Sequence, residues 1–126
     1  MNVIWNETKI KALSDKLLKK LKVRGATLDI FLLGNKDMTA LKARFIKKKT
    51  EPNVLSFPEP ARFPHPEIKK KYLGEIYLNR DILRRSPDRA NALLLHGILH
   101  LLGYDHIKKT DIAKMESLEK KILERL

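Results

Sequence analysis

The chain has 126 residues, 43% of them apolar, with 27 lysines and arginines against 15 acids and a formal net charge of +12. That length suits one domain over residues 1–126 with a core of its own, and the apolar share argues against a disordered polyelectrolyte. The lack of cysteine removes disulfides, thiolate metal sites and cysteine nucleophiles, while the basic balance favours a polyanionic partner such as nucleic acid.

The first residues, Met1 to Leu13, lack the apolar core of a signal peptide. No run reaches the roughly 18 apolar residues of a membrane span. A cytoplasmic protein with no membrane partner is expected. Asn2 to Trp5 reads as a short first strand. Ile10, Leu13, Leu17, Leu18 and Leu21 then recur at the spacing of one helical face over residues 8 to 22. After a turn at Arg24 to Ala26, the β-branched and apolar run Thr27 to Leu33 predicts a buried strand, which Gly34 and Asn35 break. A second helix is expected over 37 to 46, with Met38, Leu41, Phe45 and Ile46 turned inward. Lys47, Lys48 and Lys49 lead into a polar loop.

Asn53 to Phe57 predicts a short strand stopped by Pro58. The segment from Pro58 to Lys71, with three further prolines, reads as a surface loop or flap. Leu73 to Asn79 alternates as a strand, and its Gly74 marks a bulge or a close approach of two backbones. Arg80 to Arg85 reads as a short helix. For the next helix Ser86 is the expected N-cap and Pro87 the first helical residue. This helix is apolar on nearly every side, so it belongs at the centre of the fold, and Gly103 is its expected left-handed stop. Thr110 is placed as the cap of a last amphipathic helix carrying Ile112, Met115, Leu118, Ile122 and Leu123. The order predicts an α/β (α+β) fold: a small mixed four-stranded sheet covered by helices, with a zincin-like metal-binding helix.

The chemistry concentrates between His96 and His106. Residues i and i+4 of a helix share a face, so His96 and His100 can each offer a nitrogen to one ion. Gly103 can turn the chain back and return His106 as a third ligand. Three imidazoles leave a tetrahedral zinc with one open position, which marks a catalytic rather than a closed structural site. Other divalent transition metals suit the same ligands. Burying two unpartnered imidazoles in so apolar a helix would cost a few kcal/mol, which disfavours a purely structural role. The fourth histidine, His65, lies among prolines and is expected to be exposed and idle.

The spacing equals that of the metzincin protease motif H-E-x-x-H-x-x-G-x-x-H, but Gly97 stands where the glutamate base belongs. The metal site survives and the peptidase base does not. Such an ion can still supply a nucleophilic water near neutral pH. Asp105 is a candidate catalytic base. It is equally a candidate for a carboxylate orienting a histidine, or for a turn residue bonding its own backbone.

Together these residues resemble the YbeY family of bacterial endoribonucleases. The family signature H-G-x-L-H-L-x-G-Y-D-H is complete from His96 to His106. Asn53 to Pro58 is similar to the family's [DN]-V-L-S-F-P segment, and Leu73 to Ile76 to its L-G-[DE]-I strand. The resemblance runs from about residue 27 to the end. It implies a zinc-dependent endonuclease of single-stranded RNA, acting in 16S ribosomal RNA 3′-end maturation and ribosome quality control. It implies one zinc ion held by His96, His100 and His106, with ribosomal RNA and the ribosome as partners and no DNA partner. The chain departs from the family in one segment. The arginine that the family carries in Y-R-x-K-D-x-P-T aligns with Ile46, and its proline-threonine pair with Glu51 and Pro52. Arg44, Lys47 and Lys48, within a basic cluster that also holds Lys42 and Lys49, are the candidate phosphate contacts, and Ser56 is a candidate lining residue. The alternatives are a zinc hydrolase acting on another substrate and a noncatalytic zinc-containing ribosome-binding factor.

Overall fold

The computed structural model describes residues 4–45, 53–59, 71–104 and 109–126. Helix α1 (Glu7–Lys20) opens with Asn6 as N-cap, whose side chain accepts from the Lys9 amide at 2.8 Å. It buries Ile10, Leu13, Leu17 and Leu18 along the face that the spacing predicts. Strand β1 (Ala26–Leu33) follows, then α2 (Asn35–Phe45), β2 (Val54–Pro58) and β3 (Lys71–Asn79). The described sheet has the order β1-β3-β2, with β1 parallel and β2 antiparallel to the central β3. It is therefore mixed, as predicted, but has three strands rather than four. The fourth was expected at Asn2 to Trp5. There, Ile4 and Trp5 lie outside any strand and the residues before them are not described.

Gly74 meets both expectations attached to it. The register slips between Thr27 and Asp29 of β1, opposite Tyr72 and Glu75 of β3. Gly74 also has φ +136°, and a Cβ there would sit 2.2 Å from the Phe57 carbonyl oxygen. Only glycine lets β2 pair this closely with β3.

Helix α3 (Arg80–Arg85) leads through a 3-10 turn (Pro87–Arg89) into α4 (Ala90–Leu101). Ser86 is the N-cap of this turn and Pro87 its first residue, as expected, but Ser86 makes no side-chain cap bond; its carbonyl accepts from the Arg89 amide at 3.0 Å. The strong cap lies earlier, at Asn79. This fully buried side chain accepts from the Asp81 and Ile82 amides and donates to Asn35 Oδ1 at 2.6 Å. Asp81 in turn accepts from the Asn35 amide at 2.7 Å. One polar network thus ties the starts of α2 and α3, and a buried amide with all these partners is stabilising rather than costly. Helix α5 (Lys109–Glu124) takes in Thr110, so the residue expected to cap it lies within the helix.

The core forms around α4. Leu94, Leu95, Ile98 and Leu99 are fully buried against Ile10 and Leu17 of α1, Ile76 and Leu78 of β3, and Met115 and Ile122 of α5. Each such aliphatic side chain contributes about 1.5–3 kcal/mol on burial, enough to offset the cost of about 1 kcal/mol for Gly97 inside the helix. Among the described residues, no helix is long and apolar enough to cross a membrane. On β1 to β3, Phe31 stacks on Tyr77 at 5.0 Å and Phe57 meets the same ring edge-on at 5.7 Å. Burial, and then the hydrogen bond to Glu75, push the Tyr77 phenol up to about 12.

Candidate metal centre

His96 and His100 lie one turn apart on α4, and their imidazoles converge. The ring centroids are 4.6 Å apart and the two Nε2 atoms 3.1 Å apart. Two nitrogens bound at about 2.0–2.1 Å to one tetrahedral zinc would be separated by about 3.3 Å. The pair is thus spaced as two ligands of one ion, before any ion is considered. The opposite edge of the His96 ring is held: Nδ1 lies 3.0 Å from Glu119 Oε1, on α5. A proton on Nδ1 shared with that carboxylate leaves the Nε2 lone pair directed at the cleft, the arrangement that metal-binding histidines require.

The cleft is a cavity of about 360 Å³ beside β2, with His96 and His100 on one wall and Val54, Ser56 and Pro58 on the other. Gly103 and Tyr104 close its far end. Helix α4 stops there in a Schellman arrangement. The Tyr104 amide donates to the Leu99 carbonyl and the Gly103 amide to that of His100, both at 3.1 Å, with Gly103 at φ +102°. Gly103 therefore takes the left-handed role expected of it and turns the chain at the mouth of the site. Among the described residues, no third histidine or carboxylate joins the pair as a ligand. His106 and Asp105 lie outside the described residues, as do Ile46, Lys47, Lys48, Lys49, Glu51, Pro52, His65 and most of the proline-rich segment. Arg44 is exposed in the last turn of α2, and its charge supplements the helix C-terminus there.

Ser56 holds both positions considered for it. It lines the cavity, and its hydroxyl donates to the Gly97 carbonyl at 3.1 Å, pinning α4 to the edge strand. Gly97 itself is a packing requirement. A Cβ there would come within 3.1 Å of Ser56 Oγ and 3.2 Å of both Val54 and Ile76 methyl groups. The residue that replaces the protease glutamate thus faces the sheet, at a contact with no room for a carboxylate side chain.

Glu119 is the residue of the candidate site to which the sequence assigned no role. Its sequence signal was its place, with Met115 and Glu116, on a C-terminal helix similar in character to the family's. Its contact with His96 spans 23 positions and depends on how α5 packs on α4. Replacing Glu119 by Gln keeps the shape and removes the charge that supports the His96 Nδ1 proton. Zinc affinity, measured by competition with a chromophoric chelator, should fall about 10–100-fold. Unchanged affinity would mean that the carboxylate has no part in orienting the ring.

A small mixed sheet flanked by helices, with two convergent imidazoles on its central buried helix, defines an α/β protein with a helix-borne histidine centre. The family comparison makes the assignment specific. The model of the Endoribonuclease YbeY family matches residues 3–126, and the chain belongs to that family. The match carries the likeness past residue 27, almost to the N-terminus. Among its relatives, the endoribonuclease YbeY of Ehrlichia canis is 36% identical over 108 residues, covering 79% of this chain and 66% of its own length. That of Nitrobacter hamburgensis is 39% identical over 113 residues, covering 80% and 58%. That of Rhizobium meliloti is 35% identical over 136 aligned positions, covering 95% and 78%. The aligned region thus spans less than two thirds of the first two relatives' own length.

Proposed function

We propose that this chain is a zinc-dependent endoribonuclease that cuts single-stranded RNA, with ribosomal RNA as its natural substrate. The observation that carries the metal reading is the 3.1 Å approach of the His96 and His100 Nε2 atoms at the wall of an open cavity. His96, His100 and His106 would hold the ion, with Glu119 fixing the His96 ring. When bound, a divalent ion of this kind polarises a phosphate oxygen and activates water at neutral pH. Family membership supports RNA as the substrate, and the formal charge of +12 suits a phosphodiester backbone.

The chain's own residues do the rest. Ser56 and Gly97 lock α4 against β2, which fixes the histidines relative to the opposite wall of the cleft. Val54 and Pro58 give that wall an apolar surface that restricts water around the scissile phosphate. Arg44, with Lys47 and Lys48 beyond it, would hold the RNA backbone by charge, since a phosphate contact positions a strand without reading its sequence. Asp105, next to His106 in the chain, is proposed to accept the proton released on attack. A peptidase reading is disfavoured by the tight seat of Gly97. Action on the 16S ribosomal RNA 3′ end, ribosome quality control and a cytoplasmic location extend this reading from the family resemblance.

Strand specificity supplies the test. The purified protein should cleave a fluorescently labelled single-stranded RNA and leave the same sequence intact when it is annealed to its complement. Equal cutting of both, or of neither under zinc-replete conditions, would overturn the proposed substrate.

A further inference from the structure

A second cavity, of about 330 Å³, lies at the N-terminal end of α4, away from the turns that carry His96 and His100. Its floor is apolar, formed by Leu32 at the end of β1 and by Leu83 of α3. One side is the indole of Trp5. The Trp5 Nε1–H donates to the Pro87 carbonyl at 2.8 Å, which uses the ring's single polar group and holds it against the 3-10 turn. What the indole then offers the cavity is aromatic surface.

The remaining lining carries three cations, Arg80, Arg84 and Arg85, beside Ile4 and Pro87. The type of cation is informative. The chain has eight arginines and nineteen lysines, yet four of the arginines, and no lysine, fall between residues 80 and 89. Arginine differs from lysine in binding phosphate through two parallel donors and in stacking its plane on a base. Two acids, Asp81 and Asp88, share this stretch; one Asp81 oxygen accepts from the Asn35 amide, and the other makes a long ion pair of 4.0 Å with Arg84, whose side chain stays 69% exposed and accessible to a further anion. Gly34 leaves space for the Arg80 guanidinium, because a Cβ there would approach Arg80 Nη2 to 3.3 Å.

An aromatic face, an apolar floor and clustered guanidinium groups together match a nucleotide of a single strand, which offers a stacking base beside a phosphate. We propose that this cavity binds one nucleotide of single-stranded RNA outside the histidine site, with the base against Trp5 and the phosphate on Arg84 and Arg85. The choice of RNA among phosphate-bearing ligands rests on the endoribonuclease reading above.

Trp5 is the sole tryptophan of the chain, so intrinsic emission reports on this cavity directly. The zinc-loaded 126-residue chain is titrated with a short 5′-labelled oligouridylate. Tryptophan emission and label anisotropy are read on the same samples, and cleavage is followed separately on a gel. Trp5 emission should be quenched with the same midpoint as the anisotropy change. In the Arg84→Ala/Arg85→Ala variant that midpoint should rise about tenfold, with a salt dependence shallower by about one to two in slope. A thermal melt of the variant, expected to match the parent, separates lost contacts from lost structure. Three outcomes would overturn the proposal: RNA binding by anisotropy with Trp5 emission unchanged, an unaltered midpoint in the double variant, or equal quenching by inorganic phosphate alone. Cleavage without a Trp5 response would refute only this cavity. A Trp5 response without cleavage would refute only the nuclease reading.

Discussion

Replacing His100 by Ala should abolish RNA cleavage while leaving the fold intact. His100 is half-buried at the cavity wall, and its truncation removes no core methyl group. What it removes is one of two nitrogens poised 3.1 Å apart. A bound divalent ion contributes several kcal/mol of transition-state stabilisation, so kcat/KM should drop at least about 10³-fold. The loss should appear in kcat as well as in kcat/KM, because the proposed ion would act on the reacting phosphate and not only on binding. Glu119→Gln should weaken zinc binding while leaving all the ligands in place, so raising the zinc concentration should restore its cleavage but not that of His100→Ala. Cleavage by His100→Ala at near parental rate would remove the pair from the chemistry.

The second large effect is on stability. Gly74→Ala should lower the melting temperature by about 10 °C or more, read by circular dichroism. Two costs add. A non-glycine residue at φ +136° is strained by about 1–3 kcal/mol. The new Cβ, 2.2 Å from the Phe57 carbonyl oxygen, must push β2 off β3 at a further cost of about 1–3 kcal/mol. For a chain of this size, each kcal/mol is worth several degrees. The damage also reaches the site, since β2 carries Ser56 and the cavity wall opposite the histidines. A melting point within about 2 °C of the parent would mean that the two strands relax apart at little cost.

What could be read from the sequence, and what could not, divides by the range of the interactions. The pairing of His96 with His100 follows from helical periodicity alone, and the turn after them from the freedom of Gly103. Gly74 announced a close backbone approach because glycine inside a strand has few other uses. These are local rules, and the structure follows them. The family resemblance added the substrate class, which no local rule supplies. The Asn79 network was not legible. A buried amide that joins the starts of two helices depends on β3 and α2 meeting 44 residues apart, and the nearer Ser86 offered the more obvious cap. Gly97 was read as an absent glutamate, whereas its tight contact with Ser56, Val54 and Ile76 exists only once α4 lies on β2. The extra strand placed at Asn2 to Trp5 came from short-range apolar character. Trp5 spends that character on the core next to the 3-10 turn, where its indole finds a carbonyl partner.

The most direct test of the central claim is stoichiometric reactivation. The protein is stripped with a chelator, freed of it by gel filtration, and titrated with zinc while cleavage of a single-stranded RNA is followed. Cleavage should be silent in the stripped protein and should rise to a plateau at one equivalent of zinc. Full activity in the stripped protein, or none at any zinc concentration, would contradict a nuclease built on the histidines of α4.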